Sequence, residues 1–363
     1  MTEAVPGPDT EKSSPVSPGR TWLRSAAALL IGVAGALVAR QVMMPMPWLL
    51  GAMIATMVAS VAGAPISAPV ALRPLFVPVL GVMLGSGFST AVFANAGSWL
   101  LTLALMPVYI TCTGVVAYVY LRKVARYDRV TAFFSAMPGG INELLHMGED
   151  AGGDGRVIGL SHATRILIVV LTVVLSYGFF LDVQVGGQRS FTSFSSLALS
   201  DVGWLLTCGV VGAVVAPRLR LPAALLTGPL ICSAIAHTAG VVEVPPPTIL
   251  SWAAQLVIGA IVGARFVGVS VAEIFRYLAV GIVATMLILV VSVIFAGIVS
   301  MFSPTEMAQS FLAFSPGGAT EMSLLALAMG QDMVFISFAH IARVAMVVAL
   351  TPIGFRLFRR FLA

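Results

Sequence analysis

Charge is scarce in this 363-residue chain: Asp, Glu, Lys and Arg together make up 10% of it, against 59% hydrophobic residues. A soluble domain carries about a quarter charged residues. A water-facing surface cannot be assembled from this composition, so lipid must solvate much of the chain. Cysteine is scarcer still. Cys112, Cys208 and Cys232 fall inside apolar runs and form no C-x-x-C pair, which excludes a disulfide framework or a thiolate metal site. Four widely spaced histidines do not make a copper or iron oxygenase centre. There is no Walker loop, no dinucleotide fingerprint and no nucleophilic Ser or Cys motif. The expectation is a protein that is not an enzyme and uses neither cofactor nor metal.

What is abundant points the same way. The 35 glycines and 21 prolines would punctuate soluble helices, but helix bundles in membranes tolerate them because neighbouring helices satisfy the freed backbone groups. The net charge of +5 does not indicate nucleic acid, since the basic residues sit at the ends of apolar runs and form no stripe. Those runs fall at about 22–40, 47–64, 72–92, 97–121 and 156–181, and again at about 202–217, 222–240, 248–269, 276–300 and 333–358. Residues 1–21 read as a disordered cytoplasmic tail, 22–181 as a first membrane repeat, 182–201 as a polar extracytoplasmic linker and 202–363 as a second repeat. The run at 22–40 has a counterpart later in the chain, which argues against a signal peptide.

The two sets are copies. At a constant offset of 178, Gly81, Gly85 and Phe88 fall on Gly259, Gly263 and Phe266, and Pro138, Gly139, Gly140 and Glu143 fall on Pro316, Gly317, Gly318 and Glu321. Asp154, His162 and Arg165 fall on Asp332, His340 and Arg343. Ten of the 33 positions over 133–165 are identical and include nearly all the polar ones, whereas chance similarity between apolar helices would match Leu, Val and Ala. Counting charges orients the copies. If the Pro-Gly-Gly stretches dip in and return, sixteen Lys and Arg lie inside and two outside; if they cross fully, the count is twelve against six. The positive-inside rule favours the first. The expected fold is therefore an all-α polytopic membrane protein of two inverted repeats. Each has five transmembrane helices and one broken or re-entrant Pro-Gly-Gly segment, with both termini in the cytoplasm of a bacterial inner membrane.

The polar duplications carry the candidate site. Proline lacks an N–H and paired glycines turn tightly, so a helix breaks and restarts at 135–143 and at 313–321, exposing free N–H groups at Gly139, Gly140, Gly317 and Gly318. Restarted half-helices of this kind form the solute site of inverted-repeat transporters. The plainer reading is a kink, with Glu143 and Glu321 capping their own first turns. His162 and Arg165 share one helix face, as do His340 and Arg343. Arg165 lies about 13 Å into its span at 1.5 Å per residue, where an unpaired charge costs several kcal/mol. Glu143 and Glu321 are the expected partners of Arg165 and Arg343, within each repeat or exchanged between them, and those ion pairs could do no more than pin the broken segment to the last helix. Asp154 and Asp332 read as helix N-caps, and the G-x-x-x-G spacings at Gly81 and Gly259 as close packing sites.

The duplicated P-G-G-x-x-E, followed about twenty residues on by H-x-x-R, resembles the AbrB-type membrane proteins of bacteria, and the resemblance runs from about Trp22 onward. Members carry labels such as AbrB family transcriptional regulator and ammonia monooxygenase. The resemblance implies an integral membrane protein with regulation of gene expression as its nominal process; it does not imply DNA binding, and the residues do not support the monooxygenase label. One departure is Met137 where the second copy has Ser315. The expected function is secondary transport of a small molecule or ion by alternating access between the two broken segments. The competing expectation is a membrane-embedded regulator acting through a partner or a sensed ligand. The partners expected are the lipid bilayer and the solute, with no nucleic acid; association into a homo-oligomer stays open.

Overall fold

The computed structural model describes residues 18–42, 44, 46–88, 96–180, 193 and 197–362, and every regular element among them is helical. Among the described residues, fourteen helices of eight or more residues follow one another. The first seven are α1 (Pro18–Gln41), α2 (Pro47–Val61), α3 (Arg73–Gly85), α4 (Trp99–Lys123), α5 (Arg129–Ala136), α6 (Ile141–Asp150) and α7 (Gly155–Phe180). The second seven are α8 (Leu199–Arg218), α9 (Ala224–Thr238), α10 (Thr248–Gly263), α11 (Val271–Phe302), α12 (Met307–Phe314), α13 (Ala319–Ala328) and α14 (Met333–Leu362). Helix is what an apolar chain must form in lipid, because each backbone N–H and C=O then finds its partner within one segment. The expected tail over residues 1–17 and most of the 182–201 linker lie outside the described residues, while α1 and α8 begin a few residues before the predicted 22 and 202.

Among the described residues, seven helices are long and apolar enough to cross a bilayer: α1, α4, α7, α8, α10 (continued by the short turn Ala264–Phe266), α11 and α14. The three other predicted spans are realised as shorter helices, with 15 residues in α2, 13 in α3 and 15 in α9. At 1.5 Å per residue these reach only ~20–22 Å, short of the ~30 Å hydrocarbon core. Backbone geometry explains two of the three. α2 starts after Met46 at φ 48° and is followed by Gly63 at φ 76°; α9 starts after Ala223 at φ 48° and is followed by Gly240 at φ 70°. Left-handed residues stop a helix, and hydropathy does not see them.

The duplication is visible in helix boundaries. α5, α6 and the start of α7 recur in α12, α13 and the start of α14 at an offset of 178 residues. Packing is reciprocal between the halves: α2 lies on α10 and α3 on α9, while α4 meets α14 and α7 meets α11. Close approach is what the glycines provide. A Cβ added at Gly81 of α3 would sit 2.5 Å from the Leu226 carbonyl oxygen of α9, and one added at Gly259 of α10 would sit 2.5 Å from the Leu49 carbonyl oxygen of α2. The predicted G-x-x-x-G contacts are thus present, and they join one half to the other. Asp154 and Asp332 do cap α7 and α14: Asp154 accepts from the Val157 N–H at 3.1 Å, Asp332 from the Val334 and Phe335 N–H groups at 3.0 and 3.1 Å.

Candidate functional site

Residues 137–140 and 315–318 lie between helices, after α5 and before α6 in one half, after α12 and before α13 in the other. We call these stretches the tips. α6 and α13 begin after Gly140 and Gly318, neither start has a side-chain cap, and each carries one acid in its first turn, Glu143 and Glu321. Each carboxylate folds back against its own N-cap glycine, since a Cβ built on Gly140 or Gly318 would collide with the Glu143 or Glu321 Oε2. The two acids differ in surroundings. Glu143 is exposed, whereas Glu321 is buried at 7% exposure and accepts a 2.8 Å hydrogen bond from the Thr320 hydroxyl.

The arginines do not find their partners among the glutamates. Arg165, on α7, donates to the Met137 carbonyl at 2.9 Å and to the Ala136 carbonyl at 3.4 Å. Arg343, on α14, donates to the Ser315 carbonyl at 2.5 Å and to the Gly317 carbonyl. The expected Glu143–Arg165 and Glu321–Arg343 ion pairs are absent among the described residues. The physical reason is the helix break: once the ladder stops at Ala136 and Phe314, its last carbonyls lose their N–H donors, and a planar guanidinium supplies several at once. The histidines do the same one turn earlier, with His162 Nε2 3.0 Å from the Phe134 carbonyl and His340 Nε2 2.9 Å from the Leu312 carbonyl. Such contact requires the Nε2–H tautomer. His162 Nδ1 then accepts from Arg165, whereas His340 Nδ1 and the Arg343 Nε have no partner among the described residues.

The halves meet at this point. A Cβ on Gly139 would strike Val347, and one on Gly140 would come 3.6 Å from Val344, so the first tip rests on α14 beside Arg343. The half-helix α13 packs reciprocally on α7. Tyr109 of α4, fully buried, lies within electrostatic reach of both Arg165 and Arg343. Its hydroxyl is 3.1 Å from that of Ser292 on α11, which in turn donates to the Phe314 carbonyl at 3.2 Å just before the second tip. Tyr109 and Ser292, together with Arg265 in the turn Ala264–Phe266, which lies within electrostatic reach of His162 and Glu321, are contributors with no counterpart among the ten candidates. Isolated polar residues in mid-span were the available signal for the first two. For Arg265 it was a departure from the duplication, which puts Gly87 at the equivalent place.

Of the ten candidates, His162, Arg165, Gly317, Glu321, His340 and Arg343 are buried, Gly139, Gly140 and Gly318 are half-buried, and Glu143 is exposed. None of them lines either of two apolar cavities of about 580 and 370 Å³ among the described residues, one flanked by α9 and α14, the other by α3 and α8. No cluster of three or more His, Cys, Asp or Glu able to hold a metal ion occurs among the described residues. His146, Glu149 and Asp150 are exposed on α6, with His146 and Glu149 3.8 Å apart.

A helical, multi-pass membrane protein built from two packed halves is the class these features define. The chain belongs to the AbrB family: the family model described as "Transition state regulatory protein AbrB" matches residues 48–359. Two relatives match over most of the chain. The chain is 25% identical over 293 residues to "Uncharacterized protein YhjN" of Bacillus subtilis (strain 168), covering 77% of this chain and 76% of that one. It is 24% identical over 295 residues to "Putative regulator AbrB" of Escherichia coli (strain K12), covering 81% and 84%.

Proposed function

We propose that this protein is a secondary transporter of a small solute, with the solute site between the two tips. The observation that carries the reading is the pair of helix breaks, each held by a buried arginine and histidine from the last helix of its own half, with the two halves packed reciprocally. Breaks of this kind in two related halves are the architecture in which one half rocks against the other around a fixed midplane site. In this reading the halves are inverted, the tips enter the membrane and return, the membrane is the bacterial inner membrane and both termini are cytoplasmic. The protein is then not an enzyme, and its partners are lipid and solute. The solute would meet Glu143 and Glu321, the N–H groups that open α6 and α13, and the two Arg–His pairs.

Two measurements test this. Reconstituted protein should take up one or more members of a panel of radiolabelled organic acids, amino acids and inorganic ions. Glu143→Gln and Glu321→Gln should both lose that uptake while melting like the parent, with the buried Glu321 giving the larger loss. Undiminished flux in both variants removes the site assignment. Single cysteines introduced at Arg126 and Arg276 should react with an impermeant maleimide from the same face of the membrane, and labelling from opposite faces removes the inversion.

A second reading follows from the relative called "Putative regulator AbrB" and from the family's description. In it the same site senses a ligand, and gene expression responds through a partner. Solute binding without flux would favour it.

A further inference from the structure

We propose that the solute is a small oxyanion (carboxylate, phosphate or sulfate) and that Arg265, present in one half only, selects it. The inference rests on the transport reading and adds the charge of what is carried. The first observation is a shortage of counter-charge. Arg165 and Arg343 are 5% and 1% exposed, yet their acceptors are backbone carbonyls, and no described carboxylate lies within ion-pair distance of either. Carbonyl dipoles offset only part of the cost of burying such a cation. The two guanidiniums also lie within electrostatic reach of each other, so each raises the positive potential at the other. The Arg343 Nε has no partner at all among the described residues.

Arg265 adds a third cation at the margin. It lies in the turn Ala264–Phe266 that ends α10, and it is half-buried. The turn is held in place on both sides: Phe266 packs with Leu160 and Ala163 of α7, flanking His162 in sequence, and the Ser60 hydroxyl of α2 donates to the Gly263 carbonyl at 3.2 Å. Its guanidinium makes no hydrogen bond or ion pair among the described residues, and it lies within electrostatic reach of Arg73, His162 and Glu321. Glu273, the nearest acid along the chain, is already engaged by Ser270 and by Arg156 at 3.3 Å. The first half manages the equivalent position with Gly87, so the fold does not require a side chain there. Two buried arginines without a carboxylate partner and a third with only Glu321 within electrostatic reach leave this region short of negative charge. A metal or ammonium cation would be repelled, whereas an oxyanion matches the planar fork of a guanidinium in both charge and shape.

The test is equilibrium binding to the purified full-length protein, read by thermal shift and calorimetry. The probes are sodium acetate, citrate, phosphate and sulfate, set against the chlorides of ammonium, choline and putrescine at matched ionic strength. At least one oxyanion should bind saturably, with apparent affinity falling roughly tenfold or more in Arg265→Gln and staying within about threefold in Arg265→Lys. Arg265→Gly, which copies the first half, serves if the glutamine variant does not fold. Binding of cations only, binding of no probe, or an affinity that both neutral variants leave unchanged overturns the proposal. Arg265-dependent oxyanion binding without flux would remove transport and leave this inference standing. Cation flux indifferent to Arg265 would do the reverse.

Discussion

Arg343→Ala should melt at a markedly lower temperature than the parent protein and lose solute binding with it. Arg343 is the largest fully buried side chain among the described residues, and it donates to the Ser315 and Gly317 carbonyls, which no helix ladder serves. Each buried acceptor left empty costs about 1–3 kcal/mol, and truncating a large buried side chain adds a cavity term of similar size. Removing a buried cation returns part of this, and polar contacts in membranes tend to the weak end of the range. A net loss of roughly 2–4 kcal/mol is expected, a large fraction of a typical 5–15 kcal/mol stability. Arg343→Lys keeps the charge but offers a point donor where a fork is needed, and should fall between. Arg165→Ala should cost less, because one of its two carbonyl contacts is already long at 3.4 Å. A variant Arg343→Ala that melts with the parent would mean that the second tip holds its shape without this contact.

The second large effect is steric. Gly259→Leu should prevent the halves from docking. The added Cβ would meet the Leu49 carbonyl oxygen at 2.5 Å, the Ala52 Cβ at 3.1 Å and the Met53 N at 3.2 Å. Two of these are backbone atoms of α2, and backbone cannot swing aside as a side chain can. Overpacking costs about 1–3 kcal/mol in ordinary cores, and the upper end or beyond is expected where a whole helix must retreat. Gly297→Leu on α11 is the control, since nothing lies within 4 Å of its Cβ. Size-exclusion profiles and melting curves in detergent would report both. Equal behaviour of the two leucine variants would show that the α2–α10 contact is not limiting.

The parts of the fold legible in the sequence were those with a local signature. Pro138 and Pro316 mark the two breaks because paired glycines follow them; proline alone does not, since Pro107 and Pro352 sit inside α4 and α14. Asp154 and Asp332 mark two helix starts because a carboxylate before an apolar run has few other roles. The glycine pairs at 81/85 and 259/263 mark close contacts, though spacing alone did not say that each would face the opposite half. The partners of the arginines were not legible. A search for opposite charge runs through side chains, and the acceptors are the carbonyls of Ala136, Met137, Ser315 and Gly317, which every residue possesses. Span length was hidden for a similar reason: the apolar runs continue past Val61 and Thr238, but the backbone turns left-handed at Gly63 and Gly240. Arg265 looked like one more basic residue at a membrane edge until its surroundings were known.

The cross-docking of α2 on α10 and of α3 on α9 makes the two halves depend on each other. A half-length polypeptide would leave its glycine edge bare, with no surface of its own shaped to cover it. Each half therefore completes the other's packing surface, and separating them would expose both glycine edges at once.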